Sequence, residues 1–295
     1  MDGRTVLDLV RPFTLLAPAV GSLAGAVAAT AATGASLDPL RVGLGVLAAL
    51  AATGASNAWN QAFDAQIDAV NKPERPVPSG RASVAAALRL GHALAVVALT
   101  LAFLASLAFG ACVAIGIVAT WVYSAPPWRT KASLVGALLT IAIPRGYLVP
   151  VAGWSLVISP FDASDPWALG AIAFLFVLGA AGTKDFADVE GDRAHGCRTL
   201  PVVLGLRPAA RLMAPFLVLP FLLFPLGAWL GWLHAPLLAW VVLALVLVAL
   251  GLVAAISLLR DPDALARGGT AHPAWRAMYL LLLAIHVGSA IVYML

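Results

Sequence analysis

The chain has 295 residues, of which 62% are apolar and 11% charged, with a formal net charge of +4. That charge content is under half the usual fraction for a soluble domain, so the chain reads as an integral membrane protein. The modest net charge gives no reason to invoke a nucleic-acid partner. Two cysteines, Cys112 in an apolar run and Cys197 in a charged loop, do not make a disulfide framework, and no Cys/His zinc pattern is present.

Residues 1–11 carry Asp2, Arg4, Asp8 and Arg11, and no small-residue cleavage site follows a short apolar core. The first apolar run is therefore expected to be a retained helix rather than a secretory signal. Nine segments are long enough, or nearly so, to cross about 30 Å of hydrocarbon. They are residues 12–34, 41–63, 84–107, 109–125, 133–156, 166–184, 209–232, 236–259 and 274–294. The third and fourth meet near Ala108, so eight spans with one re-entrant segment is the alternative. With alternating sides, fifteen of the eighteen basic residues fall on one face; only Arg41 falls on the other, and Arg89 and Arg145 lie within segments. The positive-inside rule then predicts a cytoplasmic N-terminus and cytoplasmic even-numbered loops, at the inner membrane if the source is bacterial.

The second segment ends in NAWNQAFDAQID, which places Asn60, Asp64 and Asp68 at i, i+4 and i+8 on one helical face. Pro73, Pro76, Pro78 and Gly80 then break the helix into a loop that carries Lys72, Arg75 and Arg81. Asn60 can cap or bond between helices, or offer its amide oxygen to a metal; the spacing leaves both open. The fourth segment closes on YSAPPWRTK. Arg129 and Lys131 there either anchor a proline-terminated helix at the headgroups or reach an anionic ligand. Within the fifth, IAIPRGYLVP holds Arg145 between Pro144 and Gly146. An arginine can snorkel from such a position, but the flanking residues favour a broken helix with Arg145 facing a cavity, where it needs an anionic partner.

The sixth segment runs into KDFADVEGDRAHGCRT, with Asp185, Asp188 and Asp192 at i, i+3 and i+7 and with Lys184, Arg193 and Arg198 beside them. Seven of the fourteen acidic residues lie in these two stretches. Interfacial carboxylates at a helix end explain one cluster but explain two poorly, because acids are scarce in this chain and ionisable groups at spans are costly. Hard oxygen ligands followed by cationic loops predict a divalent metal, Mg²⁺, held together with a polyanion. The matching motifs, four segments apart, hint at an internal duplication. An ion-coupled carrier is the rival class, but it leaves unexplained why both acid clusters sit at one face rather than at the midplane.

Asn60-Asp64-Asp68 and Asp188-Asp192, with the flanks IDAVNKPERPVPSG, YSAPP and KDFADVEGDRAHGCRTLPVVLG, resemble the UbiA-type superfamily of membrane prenyltransferases. The resemblance implies one all-α domain over 1–295, a multi-pass membrane bundle of about nine transmembrane helices around a central cavity capped by cytoplasmic loops. It implies that Asp64, Asp68, Asp188 and Asp192 are catalytic. The first two would hold one Mg²⁺ against a diphosphate, with Asn60 beside them; the second two would hold another, with Asp185 close by. It further implies that Tyr123, Lys131, Arg145, Lys184 and Arg198 bind substrate. The implied reaction moves a prenyl group from a prenyl diphosphate to a lipophilic acceptor in the bilayer. Gln61 stands where many relatives have Asp, so one acidic contact is expected to be missing. KDFADVEGD and PRGYL resemble the homogentisate group, while NKPERPVPSG resembles the archaeal-lipid and chlorophyll-synthase groups. The expected acceptor is an aromatic quinone- or chromanol-type precursor, ahead of a glycerol-phosphate lipid or a chlorin.

Overall fold

The computed structural model describes residues 1–295, the side chain of Thr270 excepted, and among the described residues no strand forms. Asp2 starts the amphipathic helix α1 (Gly3–Val10) by accepting the Thr5 N–H at 2.9 Å. Arg11 turns left-handed (φ 53°) and Pro12 opens α2 (Pro12–Thr33). Gly34 ends α2 at φ 70°, where a Cβ would be strained, and Asp38 caps α3 (Pro39–Phe63). Asp64 separates α3 from α4 (Ala65–Asn71).

Ser83 caps α5 (Val84–Ala105), and Ser106 alone divides it from α6 (Leu107–Ser124). The Ser106 backbone is extended and its hydroxyl accepts the Phe109 N–H at 3.0 Å, so one residue ends a helix and starts the next. The third and fourth spans are therefore separate, divided at Ser106 rather than Ala108. The fifth span is broken as Pro144 and Gly146 predict: α7 (Leu134–Ala142), a π-helical turn (Ile143–Tyr147) and α8 (Leu148–Trp154). The sixth begins with α9 (Asp165–Ala180) and passes through a 3-10 segment (Ala181–Asp188) into α10 (Val189–Ala194).

After α11 (Leu200–Leu204), the seventh span runs from α12 (Leu206–Met213) through 3-10 turns at Pro215 and Pro220 to α13 (Leu223–Trp229). Each proline lacks the N–H that an α-helix would use. α14 (Leu237–Arg260), α15 (Pro262–Gly268) and α16 (Pro273–Met294) complete the chain. Among the described residues, nine helices or helix groups are long and apolar enough to cross a membrane, the predicted number.

Packing between helices in lipid rests on close contact rather than on expulsion of water. α2 and α8 cross where Gly25 meets Gly153; a Cβ on Gly25 would lie 2.8 Å from the Gly153 Cα. Spans five to nine share a core in which Phe224 stacks on Trp240 at 5.3 Å. At one end of the bundle the buried Asp165 carboxylate accepts Tyr293 O–H at 2.6 Å and the His234 N–H at 2.7 Å, joining α9, the loop before α14, and α16. At the other end α3 pins the N-terminal turn. Asn57 donates to the Val10 carbonyl and Thr14 Oγ1 (2.7 Å each), and Gln61 donates to the carbonyls of Leu9 (2.8 Å) and Asp8 (3.1 Å). These bonds satisfy carbonyls left open at the end of α1 and fix the corner that carries Arg11.

Candidate active site

A cavity of about 680 Å³ runs into the bundle. Its deeper wall is apolar, with Ala49, Phe109, Val113, Ala152 and Phe176 among its residues, whereas its mouth is dense in charge. Arg11, Lys72, Lys131, Thr199 and Arg267 bring the N-terminal corner and every even-numbered loop to that one mouth. These segments therefore lie on one side of the bundle, as the charge distribution predicts.

The first motif keeps its face despite the break at Asp64. The N–H groups of Asp64, Asp68 and Lys72 donate to the carbonyls four residues earlier at 2.9, 2.7 and 2.7 Å. Asn60, Asp64 and Asp68 consequently all line the mouth. Asn60 spends an N–H on Asp64 Oδ2 at 2.6 Å, so it organises the motif. The second motif uses a different device. The 3-10 segment, at three residues per turn, stacks Asp185 on Asp188, and the α-helical turn that follows returns Asp192 to the same side. All three line the mouth. Asn71 joins the motifs: its Nδ2 donates to the Asp188 carbonyl at 3.0 Å and its Oδ1 accepts the Gly191 N–H at 2.8 Å. Gly191 permits this approach, since a Cβ would lie 2.6 Å from the Asn71 amide. Sequence reasoning missed Asn71; its one signal is its position, a helical turn after Asp68.

Three motif carboxylates are held by cations. Asp64 pairs with Lys131, Asp188 with Lys72, and both Asp68 oxygens lie 2.7 Å from one Arg75 nitrogen. Lys184 donates to Tyr123 Oη at 2.9 Å, and Thr199 reaches Asp192 at 3.5 Å. Burial raises the Asp68 carboxyl above its ordinary range even against Arg75, and pushes the Lys131 ammonium down to about 8. Both shifts mark a mouth of low dielectric. Among the described residues no three acidic, histidine or cysteine side chains converge on one point. Asp64, Asp68, Asp185, Asp188 and Asp192 share the mouth, and three of them pair with Lys or Arg there.

Tyr123, Lys131, Lys184 and Arg145 also line the cavity. Arg145 projects from the π-helical turn, is exposed to the chamber, and has no carboxylate facing it among the described residues. Arg198 is exposed and outside the cavity wall, where its neighbours Cys197 and Thr199 are the ones turned inward. Arg129 likewise does not line the cavity. Arg11, read from sequence only as a topology signal, does line it, half-buried, with its guanidinium pushed down to about 10 by burial. Gln61 is buried away from the cavity and donates to two carbonyls, so the expected missing acidic contact is a position that requires a donor.

A charge-dense mouth over an apolar chamber accepts an amphiphile with an anionic head and a long hydrocarbon tail. The carboxylates are hard oxygen donors of the kind Mg²⁺ takes together with phosphate oxygens, so the donor set fits that ion. A membrane bundle with this site is an intramembrane prenyltransferase. The chain belongs to the UbiA prenyltransferase family, whose family model matches residues 19–292; the carrier reading is thereby set aside. It is 34% identical over 259 residues to the digeranylgeranylglyceryl phosphate synthase of Natronomonas pharaonis, spanning 85% of this chain and 86% of that protein. It is 34% identical over 273 residues to the bacteriochlorophyll synthase 33 kDa chain of Cereibacter sphaeroides, spanning 88% and 85%. The structure of a UbiA homolog from Archaeoglobus fulgidus bound to GPP and Mg²⁺ superposes with a TM-score of 0.73 at 20% identity, over 98% of this chain and 99% of that one.

Proposed function

We propose that this protein transfers a prenyl group from a prenyl diphosphate to a glycerol-phosphate lipid. The observation that carries the reaction is the mouth: two carboxylate motifs, joined by Asn71 and interleaved with Lys72, Arg75 and Lys131, above an apolar chamber. The acceptor rests on the relatives named as digeranylgeranylglyceryl phosphate synthases, which favour this lipid over the quinone- or chromanol-type precursor expected from sequence. The relative bound to GPP and Mg²⁺ supports the donor and the ion.

Asp64 and Asp68 on one side, and Asp188 and Asp192 on the other with Asp185 beside them, are the residues that would hold Mg²⁺. Bound there, the ion supplies charge neutralisation to the departing diphosphate. The chain's own groups do the rest. Lys72, Arg75, Lys131 and Lys184 stand within the mouth and stabilise negative charge as it builds on the leaving oxygens. The Lys184 ammonium fixes the Tyr123 hydroxyl at the chamber entrance. The prenyl tail lies along Ala49, Phe109, Val113 and Phe176, and this wall keeps water from the allylic carbon, where attack would yield the prenyl alcohol. The acceptor hydroxyl attacks that carbon from the chamber side as the carbon's bond to the diphosphate oxygen breaks, and the hydroxyl proton leaves with the diphosphate. Positive-inside placement puts the mouth on the cytoplasmic face.

The test is product mass spectrometry with purified protein, Mg²⁺, geranylgeranyl diphosphate and three acceptors: geranylgeranylglyceryl phosphate, chlorophyllide and homogentisate. A Mg²⁺-dependent adduct of the glycerol phosphate is expected. An adduct of chlorophyllide or homogentisate alone overturns the acceptor, and no pyrophosphate release from folded protein overturns the reaction.

A further inference from the structure

Three cations that line the cavity hold no carboxylate: Arg11, Arg267 and, within the fifth span, Arg145. Lys72, Arg75 and Lys131 each hold a motif carboxylate, and Lys184 holds Tyr123. Arg145 forms neither an ion pair nor a hydrogen bond among the described residues. Its acidic neighbours are the phenols of Tyr123 and Tyr279, and its cationic ones are Lys184 and Arg11. Tyr279 already donates to the Phe13 carbonyl at 2.7 Å.

The chain builds a device to hold Arg145 there. Its backbone lies eleven residues into the fifth span from Leu134, about 16 Å along the helix at 1.5 Å per residue. The π-helical turn is clamped from behind: a Cβ on Gly146 would lie 2.6 Å from the Phe174 Cα, and one on Gly170 would lie 2.6 Å from the Tyr147 carbonyl. With that side of the turn pressed on α9, Arg145 is aimed into the chamber, which it lines. A guanidinium at such depth is retained where an anion meets it.

We infer that Arg145 binds an anionic group of the acceptor, a phosphate monoester, and not the diphosphate of the donor. A diphosphate bound with a divalent cation belongs against the carboxylates, and Arg145 pairs with none of them, whereas Lys72, Arg75 and Lys131 each do. The planar fork of the guanidinium suits two phosphate oxygens. Arg145 lines the chamber that would take the prenyl tail and the allylic carbon of the donor. A phosphate anchored there brings the acceptor hydroxyl to that carbon. This assignment rests on the acceptor being a phosphate-bearing lipid, and it makes Arg145 the residue that distinguishes such an acceptor from a neutral one.

The experiment compares wild type, Arg145→Gln and Arg145→Lys with geranylgeranylglyceryl phosphate and with its dephosphorylated alcohol. Arg145→Gln is expected to raise KM for the phosphorylated acceptor by about thirtyfold, a bidentate charged contact of about 2 kcal/mol. Turnover of the alcohol, KM for the donor and equilibrium binding of the donor stay within about threefold, and Arg145→Lys recovers part of the loss. Weakened donor binding with an unchanged preference for the phosphorylated acceptor overturns the inference and assigns Arg145 to the diphosphate. Donor-induced thermal stabilisation shows that each variant is folded; if the Gln variant fails this, the Lys variant decides by the same ratios. If wild type makes no glycerol-phosphate adduct, the proposed acceptor fails separately. Arg145 is then read by thermal shift with geranylgeranylglyceryl phosphate alone: stabilisation lost in the variants upholds the anion site, and stabilisation absent or unchanged overturns it.

Discussion

Asp68→Asn separates a metal ligand from an ion-pair residue. Asp68 is 4% exposed, and each of its oxygens lies 2.7 Å from the same Arg75 nitrogen. Asparagine keeps the shape, removes one negative charge and turns an N–H₂ toward the guanidinium. Breaking a buried pair by removing one partner costs about 3 kcal/mol of stability, or roughly 5 °C in Tm at this chain length. Loss of an anionic metal ligand removes about 4 kcal/mol of transition-state stabilisation, and at about 1.4 kcal/mol per tenfold that is roughly a thousandfold in rate. The assay is single-turnover pyrophosphate release with saturating donor, run well below the Tm of the variant. A second readout does not depend on turnover: Mg²⁺ with geranyl diphosphate at about a hundred times Kd adds about 2.7 kcal/mol to wild-type stability, and the variant is expected to lose most of that shift. A rate within tenfold of wild type, with the shift retained, would refute the metal assignment and leave Asp68 as the partner of Arg75.

Asn71→Ala removes both bonds between the motifs and is expected to raise the Mg²⁺ concentration for half-maximal rate by about tenfold, from about 1.4 kcal/mol of lost positioning; a rate-versus-Mg²⁺ titration measures it. Gln61→Glu sets a carboxylate against the carbonyls of Leu9 and Asp8 and is expected to lower stability by about 2–3 kcal/mol, read as Tm. Gly153→Leu drives a side chain into the Ser22 carbonyl, 2.7 Å from the position of a Cβ, and is expected to reduce Tm and monodisperse yield at about 3 kcal/mol. Asp165→Ala strands the Tyr293 hydroxyl and the His234 N–H at the far end of the bundle; a loss of about 3 kcal/mol in stability with donor KM unchanged is expected.

Much of the site was legible because its signals are local. Asn60, Asp64 and Asp68 share a face by spacing alone, and the hydrogen-bond ladder carries that face through the break at Asp64. Pro144 and Gly146 announced the broken fifth span. The seventh span was read as one helix although Pro215 and Pro220 turn it into 3-10 pieces. Other features depend on which segments meet. Nothing near Asn71 shows that it touches Gly191, 120 residues later. Gln61 reads as a missing acid because the resembled family often has Asp there, yet it faces α1 and serves there as a donor. Arg198 looked equivalent to Lys184 by charge, and only the inward turn of Cys197 and Thr199 shows that it points elsewhere.

The charge of the mouth explains why ion and donor should arrive together. Seven basic side chains line the cavity (Arg11, Lys72, Arg75, Lys131, Arg145, Lys184, Arg267) and six acidic ones (Asp64, Asp68, Glu74, Asp185, Asp188, Asp192), a net of +1. The protein's own charges at the mouth are thus almost balanced, which lets five aspartates stand together in a low dielectric. A trianionic diphosphate ester alone would take the balance to −2, and one divalent cation alone would take it to +3; both together bring it to zero. Each ligand therefore favours the other, and the coupling is reciprocal. Mg²⁺ is expected to tighten donor binding by the same factor by which the donor tightens Mg²⁺, measurable as two titrations on one protein. Neutralising Arg75 or Lys72, each already paired with a motif carboxylate, should shift that factor more than neutralising Glu74, which is exposed at the rim.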